Sequence, residues 1–376
     1  MKLLSIFGTR PEAIKMAPLL MALRDEEELE SVVCVTAQHR GMLDQVLDVF
    51  EVVPDYDLDL MLDSQGLADV TGRVLAGVGR VIEDESPQLV LVHGDTNTTM
   101  SAALAAYYGR VDVGHVEAGL RTGDRYAPWP EEMNRRIADV LATIHFAPTE
   151  AARRNLLREG VDPQAIHVTG NTVVDALVWT RDRIRKHPRL SDGLAQRFSY
   201  LSPDRRLVLV TGHRRESFGG GFRRICEALT KLAARGDAEI LYPVHLNPQV
   251  REPVEELLGG REHIHLIPPV DYATFVYLMD RSHLILTDSG GVQEEAPSLG
   301  KPVLVMRETT ERPEGLDAGT ARLVGTSPER IVSAASELLD DPDSYEAMAR
   351  AHNPYGDGCA AQRMVEILKT RNATEV

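Results

Sequence analysis

The feature that most constrains the fold is a series of short apolar runs separated by segments with helical patterning. Several runs, such as LVLV and LILT, are apolar on both faces, which is typical of strands buried in a parallel sheet. The clearest runs are Leu3–Phe7, Ser31–Thr36, Gln88–His93, Val111–Val116, Leu207–Thr211, Glu239–Val244, His263–Ile267, Leu284–Thr287 and Val303–Met306. The chain is therefore predicted to be α/β, with doubly wound sheets.

The length of 376 residues predicts two domains, at roughly 150 residues each. A charged, proline-punctuated stretch at 183–206 predicts the end of a helix followed by a linker. The expected domains are thus 1–185 and 186–359, both Rossmann-like and facing each other across a cleft. A C-terminal helix within 360–376 is expected to pack back on the first domain.

Composition excludes several classes of function. The net charge is -16 and no Lys/Arg-rich run occurs, which argues against nucleic acid and anionic membranes as partners. The three cysteines, Cys34, Cys226 and Cys359, are far apart and lack metal-binding spacing, so no zinc site and a reducing, cytoplasmic location are expected. No apolar run approaches the ~20 residues of a membrane span.

Two strand–helix loops are candidate anion sites. Gly8-Thr9-Arg10 follows the first strand, with Lys15 on the next helix, although an ordinary turn with solvated cations would look the same. Ser289-Gly290-Gly291 runs from a buried strand into a helix, and Glu295 lies about one turn later, suited to ribose hydroxyls. The alternative there is a Ser/Gly helix cap. No G-x-G-x-x-G fingerprint of NAD binding occurs.

Four residues are candidates for acid–base chemistry. Glu117 ends an apolar strand and has no evident capping role, so a functional role is favoured. Asp95 stands at a strand–helix junction, where an N-cap and a catalytic acid are equally consistent. Glu131 precedes Arg135 by four residues, and the spacing alone favours a helical ion pair. His213 lies beside two arginines, which lower an imidazole pKa, whereas a bound phosphate would raise it.

Taken together, the motifs resemble the bacterial and archaeal non-hydrolysing UDP-N-acetylglucosamine 2-epimerases. The resemblance spans nearly the whole chain, with motifs in the same order. They are FGTRPEAIKMAPL, VTAQHR, VHGDTNTT, GHVEAGLRTGD, PWPEEMNRR, TGHRRESFG, YPVHLNP, LTDSGGVQEEAPSLGKPVL, TTERPE and NPYGDG. The resemblance implies a glycosyltransferase-B-type pair of Rossmann-like domains, a homodimer, UDP binding by the second domain, and no requirement for nicotinamide or a metal.

The resemblance also implies roles for individual residues. The catalytic set would be Asp95, Glu117, Glu131 and His213. The nucleotide sugar would be bound by these residues together with Arg10, Lys15, Phe275, Ser289, Gly290, Gly291, Glu295 and Arg312. One departure lies near the uracil, where Val270 stands in place of a polar side chain found in some members.

The implied reaction meets a chemical difficulty, because the proton on carbon 2 of an N-acetylhexosamine is barely acidic. Breaking the anomeric C–O bond makes carbon 1 oxocarbenium-like and acidifies that proton. Elimination to UDP and 2-acetamidoglucal, followed by re-addition, needs cations on the diphosphate and carboxylates beside carbon 2. A retaining glycosyltransferase, a hydrolysing epimerase and a non-catalytic nucleotide-sugar binder remain alternatives.

Some family members carry a regulatory nucleotide-sugar site. The matching residues here are Gln38, His39, Gln65, Arg214 and His245. Gly41 and Ser64 replace a glutamine and an arginine, so one amide and one cation are lost. A charge-assisted phosphate contact contributes about 1.5–3 kcal/mol, and activation by the substrate is therefore expected to be weak or absent.

Overall fold

The computed structural model describes residues 1–36, 40–60 and 65–375. These form two compact units, one of residues 1–176 with 355–376 and one of residues 177–354. The chain passes between the units within a helix, α7 (Thr172–Lys186), which α8 (Pro188–Arg197) follows. The stretch expected to be a linker is thus largely helical, because proline at the first position of α8 starts a helix there.

The first unit contains a parallel sheet of seven strands in its described residues, in the order β3-β2-β1-β4-β5-β6-β7. The strands are β1 (Lys2–Phe7), β2 (Glu30–Val35), β3 (Tyr56–Asp57), β4 (Leu89–His93), β5 (Asp112–Val116), β6 (Ile144–Ala147) and β7 (Ile166–Val168). The helices between them are α1 (Arg10–Arg24), α2 (Arg40–Phe50), α3 (Leu67–Glu85), α4 (Asn97–Tyr108), α5 (Glu131–Leu141) and α6 (Glu150–Arg158). The final helix, α16 (Ala360–Glu375), packs on α1, where Lys369 pairs with Glu26 at 2.9 Å.

The second unit repeats this plan with six parallel strands in the order β10-β9-β8-β11-β12-β13. They are β8 (Arg206–Thr211), β9 (Ala238–Pro243), β10 (Ile264–Ile267), β11 (Leu284–Thr287), β12 (Val303–Val305) and β13 (Ala321–Leu323). The helices are α9 (Gly220–Ala233), α10 (Pro248–Leu258), α11 (Tyr272–Arg281), α12 (Gly290–Glu295), α13 (Pro313–Asp317), α14 (Pro328–Asp340) and α15 (Pro342–Ala349). None of the described helices is both long and apolar enough to cross a membrane.

The prediction of doubly wound α/β sheets is confirmed, and each predicted apolar run coincides with a strand. β4 shows why its run is continuous, since every one of its residues is buried between helices on both faces. Burying each such aliphatic side chain contributes about 1.5–3 kcal/mol. The strands that the sequence did not predict, β3, β6, β7 and β13, have two to four residues each and lie at or next to a sheet edge.

Both sheets have the same switch point, where the strand order reverses. In the first it lies between β1 and β4, and in the second between β8 and β11. Connections from neighbouring strands leave to opposite faces at this point and open a crevice beyond the carboxyl ends of the strands, where ligands bind in doubly wound sheets. The loops after these four strands begin with Gly8, Gly94, Gly212 and Asp288.

Candidate functional site

The loop after β1 is held by a reciprocal cap. Thr9 caps α1, and the carboxylate of Glu12 accepts from the backbone N–H groups of Gly8 and Thr9 at 3.0 and 2.7 Å. The other oxygen of Glu12 accepts from Thr96 Oγ1 at 2.6 Å, so one buried carboxylate joins the loops after β1 and β4. Arg10 is the first residue of α1, so this cap fixes the position of its backbone. Its side chain is half-buried and forms no ion pair with a described residue.

Glu117 lies directly after β5 and is held from two sides. Its Oε2 pairs with Lys15 Nζ and accepts from Asn171 Nδ2 at 2.7 Å. Both side chains of the ion pair are largely buried, at 13% exposed for Lys15 and 8% for Glu117. The backbone of Glu117 is left-handed, with φ of 65°. Such a conformation costs of order 1–3 kcal/mol in a non-glycine residue and is found where a site over-determines it.

Asp95 is not a helix cap. The N-cap of α4 is Thr96, whose Oγ1 accepts from Thr99 N at 3.1 Å, so the capping alternative for Asp95 is wrong. Asp95 instead pairs with Arg135 at 2.8 Å, and its carbonyl accepts from Asn134 Nδ2 at 3.0 Å. The Asp95 carboxylate remains 31% exposed, so an incoming ligand can reach it.

Glu131 begins α5, and the expected ion pair with Arg135 does not form. Arg135 pairs with Asp95 and, at 3.7 Å, with Glu132, because its side chain turns toward the loop after β4. Oε2 of Glu131 is buried without a hydrogen-bond partner among the described residues. A buried carboxylate oxygen without a partner is costly in a structural role and suited to a group that binds a ligand.

Two residues beside Glu117 in the first unit were not foreseen from the sequence. Asn171 follows β7, and its amide fixes Glu117. His93 ends β4, fully buried, with Nε2 at 4.0 Å from Glu117 Oε2 and neither ring nitrogen hydrogen-bonded within the described chain. Burial lowers the pKa of His93 to about 3, so this imidazole is neutral. The only sequence signal for either was a polar residue at a strand end.

In the second unit, a buried aspartate joins the loops after β8 and β11. Oδ2 of Asp288 accepts from the backbone N–H groups of His213 and Arg214 at 2.8 and 2.9 Å. The His213 imidazole is 42% exposed and lies 3.4 Å from Asp288 Oδ1, stacked on His245. Partial burial lowers the pKa of His213, so near pH 7 its imidazole is neutral and can accept a proton at one ring nitrogen.

The start of α12 presents backbone N–H groups without a side-chain cap. Ser289 is the N-cap residue, but its hydroxyl makes no capping bond, which argues against the simple cap alternative. A Cβ on Gly290 would lie 3.4 Å from the guanidinium of Arg312, so that cation sits beside the helix end. Arg312 is held by Glu294, Nε to Oε1, at 2.5 Å. The Ser289 N–H donates to Thr287 Oγ1 at 2.9 Å, so the groups here that suit an anion are the N–H groups of Gly290 and Gly291 and the guanidinium.

Glu295 points back toward this helix end. Its Oε1 accepts from the hydroxyl of Tyr272 at 3.0 Å, and Oε2 lies 3.7 Å from where a Gly291 Cβ would be. Tyr272 was not foreseen, since a tyrosine starting a helix carries no distinctive signal. Phe275 is half-buried one turn further along α11, on the same helix as Tyr272.

The residues of the expected regulatory site are described only in part. Gln38 and His39 lie outside the described residues. Gln65 donates to the carbonyl of Leu60 at 3.3 Å in the first unit, and Arg214 and His245 lie in the second unit. Among residues 1–36, 40–60 and 65–375, no group of three His, Cys, Asp or Glu side chains has an arrangement that would hold a metal ion.

Comparisons with known proteins cover both units. A family model described as UDP-N-acetylglucosamine 2-epimerase matches residues 21–369. The UDP-N-acetylglucosamine 2-epimerase of Yersinia pestis is 60% identical over 375 residues, 100% of each chain. The Neisseria meningitidis UDP-GlcNAc 2-epimerase, solved with UDP-GlcNAc bound, has a TM-score of 0.92 at 49% identity, covering 98% of this chain and 100% of that one. A Methanocaldococcus jannaschii structure with UDP-GlcNAc and UDP has a TM-score of 0.81 at 35% identity, with the same coverage.

Proposed function

The chain belongs to the UDP-N-acetylglucosamine 2-epimerase family, and on that premise we propose that it interconverts UDP-N-acetylglucosamine and UDP-N-acetylmannosamine without hydrolysis. The observation that carries this proposal is the carboxylate of Glu117, held on left-handed backbone between Lys15 and Asn171 beyond the end of a central strand. Binding alone needs no such acid, and a glycosyltransferase needs no acid–base pair for carbon 2. The family membership favours the epimerase over both.

The first half-reaction removes UDP. A carboxylate of the first unit takes the proton from carbon 2, the C–H electrons form the C1=C2 double bond, and the C1–O electrons leave with the β-phosphate of UDP. The products are UDP and 2-acetamidoglucal. Glu117, Asp95 and Glu131 are the acids assigned to the proton transfers, and Arg10 and Lys15 stabilise the developing negative charge.

The second half-reaction restores the nucleotide sugar. Carbon 2 takes a proton on the opposite face, and the phosphate oxygen of UDP adds back to carbon 1. Keeping UDP bound through both steps is the task assigned to the second unit. The hydroxyl of Ser289 and the N–H groups of Gly290 and Gly291, with Arg312, suit the diphosphate, while Glu295 suits the ribose hydroxyls and Phe275 the uracil. His213 is assigned a catalytic role at the leaving oxygen.

Proton NMR of UDP-N-acetylglucosamine with the protein in D2O tests the proposal. We expect deuterium at carbon 2 of both recovered epimers, because the acid that returns the proton exchanges with solvent. Epimerisation with carbon 2 wholly protiated would rule out elimination. Free N-acetylmannosamine would indicate a hydrolysing enzyme, and unchanged substrate in the absence of an acceptor would favour a glycosyltransferase or a binding protein.

The proposal includes a cytoplasmic homodimer. All three cysteines are free thiols, which suits a reducing compartment. An apolar patch on α4 and α5, helices that pack together, supports dimerisation. It comprises Tyr107, Tyr108, Ile137 and Val140, which are 61%, 66%, 36% and 83% exposed. Exposed apolar clusters of this kind mark subunit interfaces.

Replacing Val140 with aspartate tests the patch. We expect the Val140→Asp variant to be monomeric in light scattering, because a charge buried in an interface without a partner costs several kcal/mol. Val53 is also 83% exposed but lies outside the patch, so Val53→Asp is the matched control and should stay dimeric. A Val140→Asp variant with the mass of a dimer would place the interface elsewhere.

A further inference from the structure

His115, on β5, is completely buried and hydrogen-bonded at both ring nitrogens. Nδ1 lies 2.6 Å from Oδ1 of Asp139 on α5, and Nε2 lies 2.7 Å from the backbone carbonyl oxygen of Gly94. The first partner is a carboxylate and the second is a peptide carbonyl. A peptide carbonyl can only accept a hydrogen bond.

Asp139 is ionised, so it too can only accept. Its Oδ2 accepts from Arg121 Nη2 at 2.7 Å and from the backbone N–H of Gly119 at 3.3 Å. Burial opposes ionisation, but the contacts with His115 and Arg121 lower the pKa of Asp139 to about 2. The Arg121 guanidinium favours the carboxylate whatever the charge of His115. Each oxygen of Asp139 therefore faces a donor.

An imidazole with an acceptor at each nitrogen must carry a proton on both. In either neutral tautomer, one nitrogen lone pair would face an oxygen at about hydrogen-bond distance, in a ring that is completely buried. This conclusion does not depend on which neutral tautomer is chosen, since both fail. His115 is therefore a cation.

The other charged and titratable groups around His115 agree with this assignment. Burial lowers the pKa of His93 on β4 and of His145 on β6, so these neighbours are neutral and do not repel it. Burial would also lower the pKa of His115, but Asp139 outweighs that effect and raises it. Arg121 opposes the cation more weakly than Asp139 supports it.

The cation fixes the backbone that carries Asp95. Gly94 is left-handed, with φ of 67°, which turns its carbonyl toward the sheet and onto His115. Its N–H donates to the carbonyl of Val116 at 2.9 Å. Both polar groups of Gly94 are thus held by β5, and Asp95 follows immediately. A Cβ at Gly94 would lie 3.6 Å from Glu117 Oε1, so this peptide also borders the second acid.

We propose that His115 is a permanent imidazolium that positions the Gly94–Asp95 peptide for proton transfer, linking Asp139 to the catalytic loop. The charge assignment rests on the two acceptors that face the ring and on the Asp139 carboxylate, which the Arg121 guanidinium holds at 2.7 Å. Its effect on the reaction rests on the proposed epimerase function. His115 touches no substrate and is a positioning residue.

NMR of the full chain labelled with ring-¹⁵N histidine tests the charge. We expect both ring nitrogens of His115, assigned by the signal lost in His115→Gln, to remain protonated from pH 6 to pH 9. His93 is the internal control and should show a neutral ring throughout. An unprotonated ring nitrogen on His115 at pH 7.5 would overturn the proposal. This measurement needs no turnover, so it decides the charge even if the protein does not epimerise nucleotide sugars.

The Asp139→Asn variant tests positioning. Without the carboxylate, burial and Arg121 both lower the pKa of His115, so its ring should be neutral at pH 7 and above. The turnover of the variant should therefore be lower than that of wild type by roughly tenfold or more from pH 7 to pH 9, with KM little changed, and should recover as the pH falls and the imidazolium returns. Glu159→Gln, which weakens the outer ion pairs to Arg121 and Arg136 at 2.6 and 3.4 Å, is the matched control and should turn over like wild type at every pH. Normal turnover of Asp139→Asn while NMR shows a neutral His115 ring, or turnover that stays low after the ring gains its proton, would overturn the positioning claim.

Discussion

In the Glu117→Gln variant, turnover is expected to fall by about a hundredfold or more, the usual scale for losing a general acid or base. Glutamine keeps the shape and can still accept from Asn171, but it cannot take a proton from carbon 2. The affinity for UDP, measured by calorimetry, should change much less because the diphosphate is assigned to residues other than Glu117. Near-normal turnover would remove Glu117 from the catalytic set.

Loss of stability is the competing explanation for such an effect. Lys15 would be left largely buried without its carboxylate, and breaking a buried ion pair costs about 3–5 kcal/mol. Glu239 offers a matched control, since it is also a buried carboxylate, accepting from His265 Nε2 at 2.8 Å and from Ser202 N at 2.7 Å. Glu239→Gln should lose stability but retain turnover per folded molecule, as measured below its unfolding transition.

The neighbouring pair Glu131 and Glu132 should respond in opposite ways. Glu131→Gln is expected to lower turnover by about a hundredfold while changing the free energy of unfolding by no more than about 1 kcal/mol. Its stability should hold because the buried oxygen has no partner among the described residues to lose. The helix dipole that favours its charge contributes only about 0.3–1 kcal/mol.

Glu132→Gln should do the reverse. The Glu132 carboxylate is fully buried and accepts from the backbone N–H groups of Thr122 and Gly123 at 3.1 and 3.3 Å. Weakening these charge-assisted bonds should cost about 2 kcal/mol in denaturant unfolding. Turnover at low temperature should stay within a few-fold of wild type. Equal loss of turnover in both variants would mean that the segment acts through its structure and not through the Glu131 carboxylate.

The two glutamates also show where sequence reasoning reaches its limit. Spacing alone favoured an ion pair between Glu131 and Arg135, because residues four apart on a helix are neighbours. Arg135 instead turns to Asp95 on another loop, at 2.8 Å. The i,i+4 rule considers only residues of one helix, so it cannot include an acid such as Asp95 that the fold brings close from another loop. The capping alternative for Asp95 is wrong for a more local reason, because α4 begins one residue later and Thr96 supplies the cap.

What the sequence by itself determined is the plan of the molecule. Continuous apolar runs occur only where strands are buried on both faces, so β1, β4, β8 and β11 were predictable from their own residues. The loops after those strands carry the candidate site residues Arg10, Asp95, His213 and Ser289, since strand–loop–helix patterns are local.

Only the tertiary structure decided the partners. Asn171 and Lys15 meet at Glu117 from positions 54 and 102 residues away, and Asp139 reaches His115 across a strand–helix connection. Short strands such as β6 and β7 have too few residues to show a recognisable hydrophobic pattern. They form because the backbone of a neighbouring strand pairs with theirs. The charge of a buried histidine depends on which acceptors surround it, and that arrangement is set by packing between elements distant in the chain.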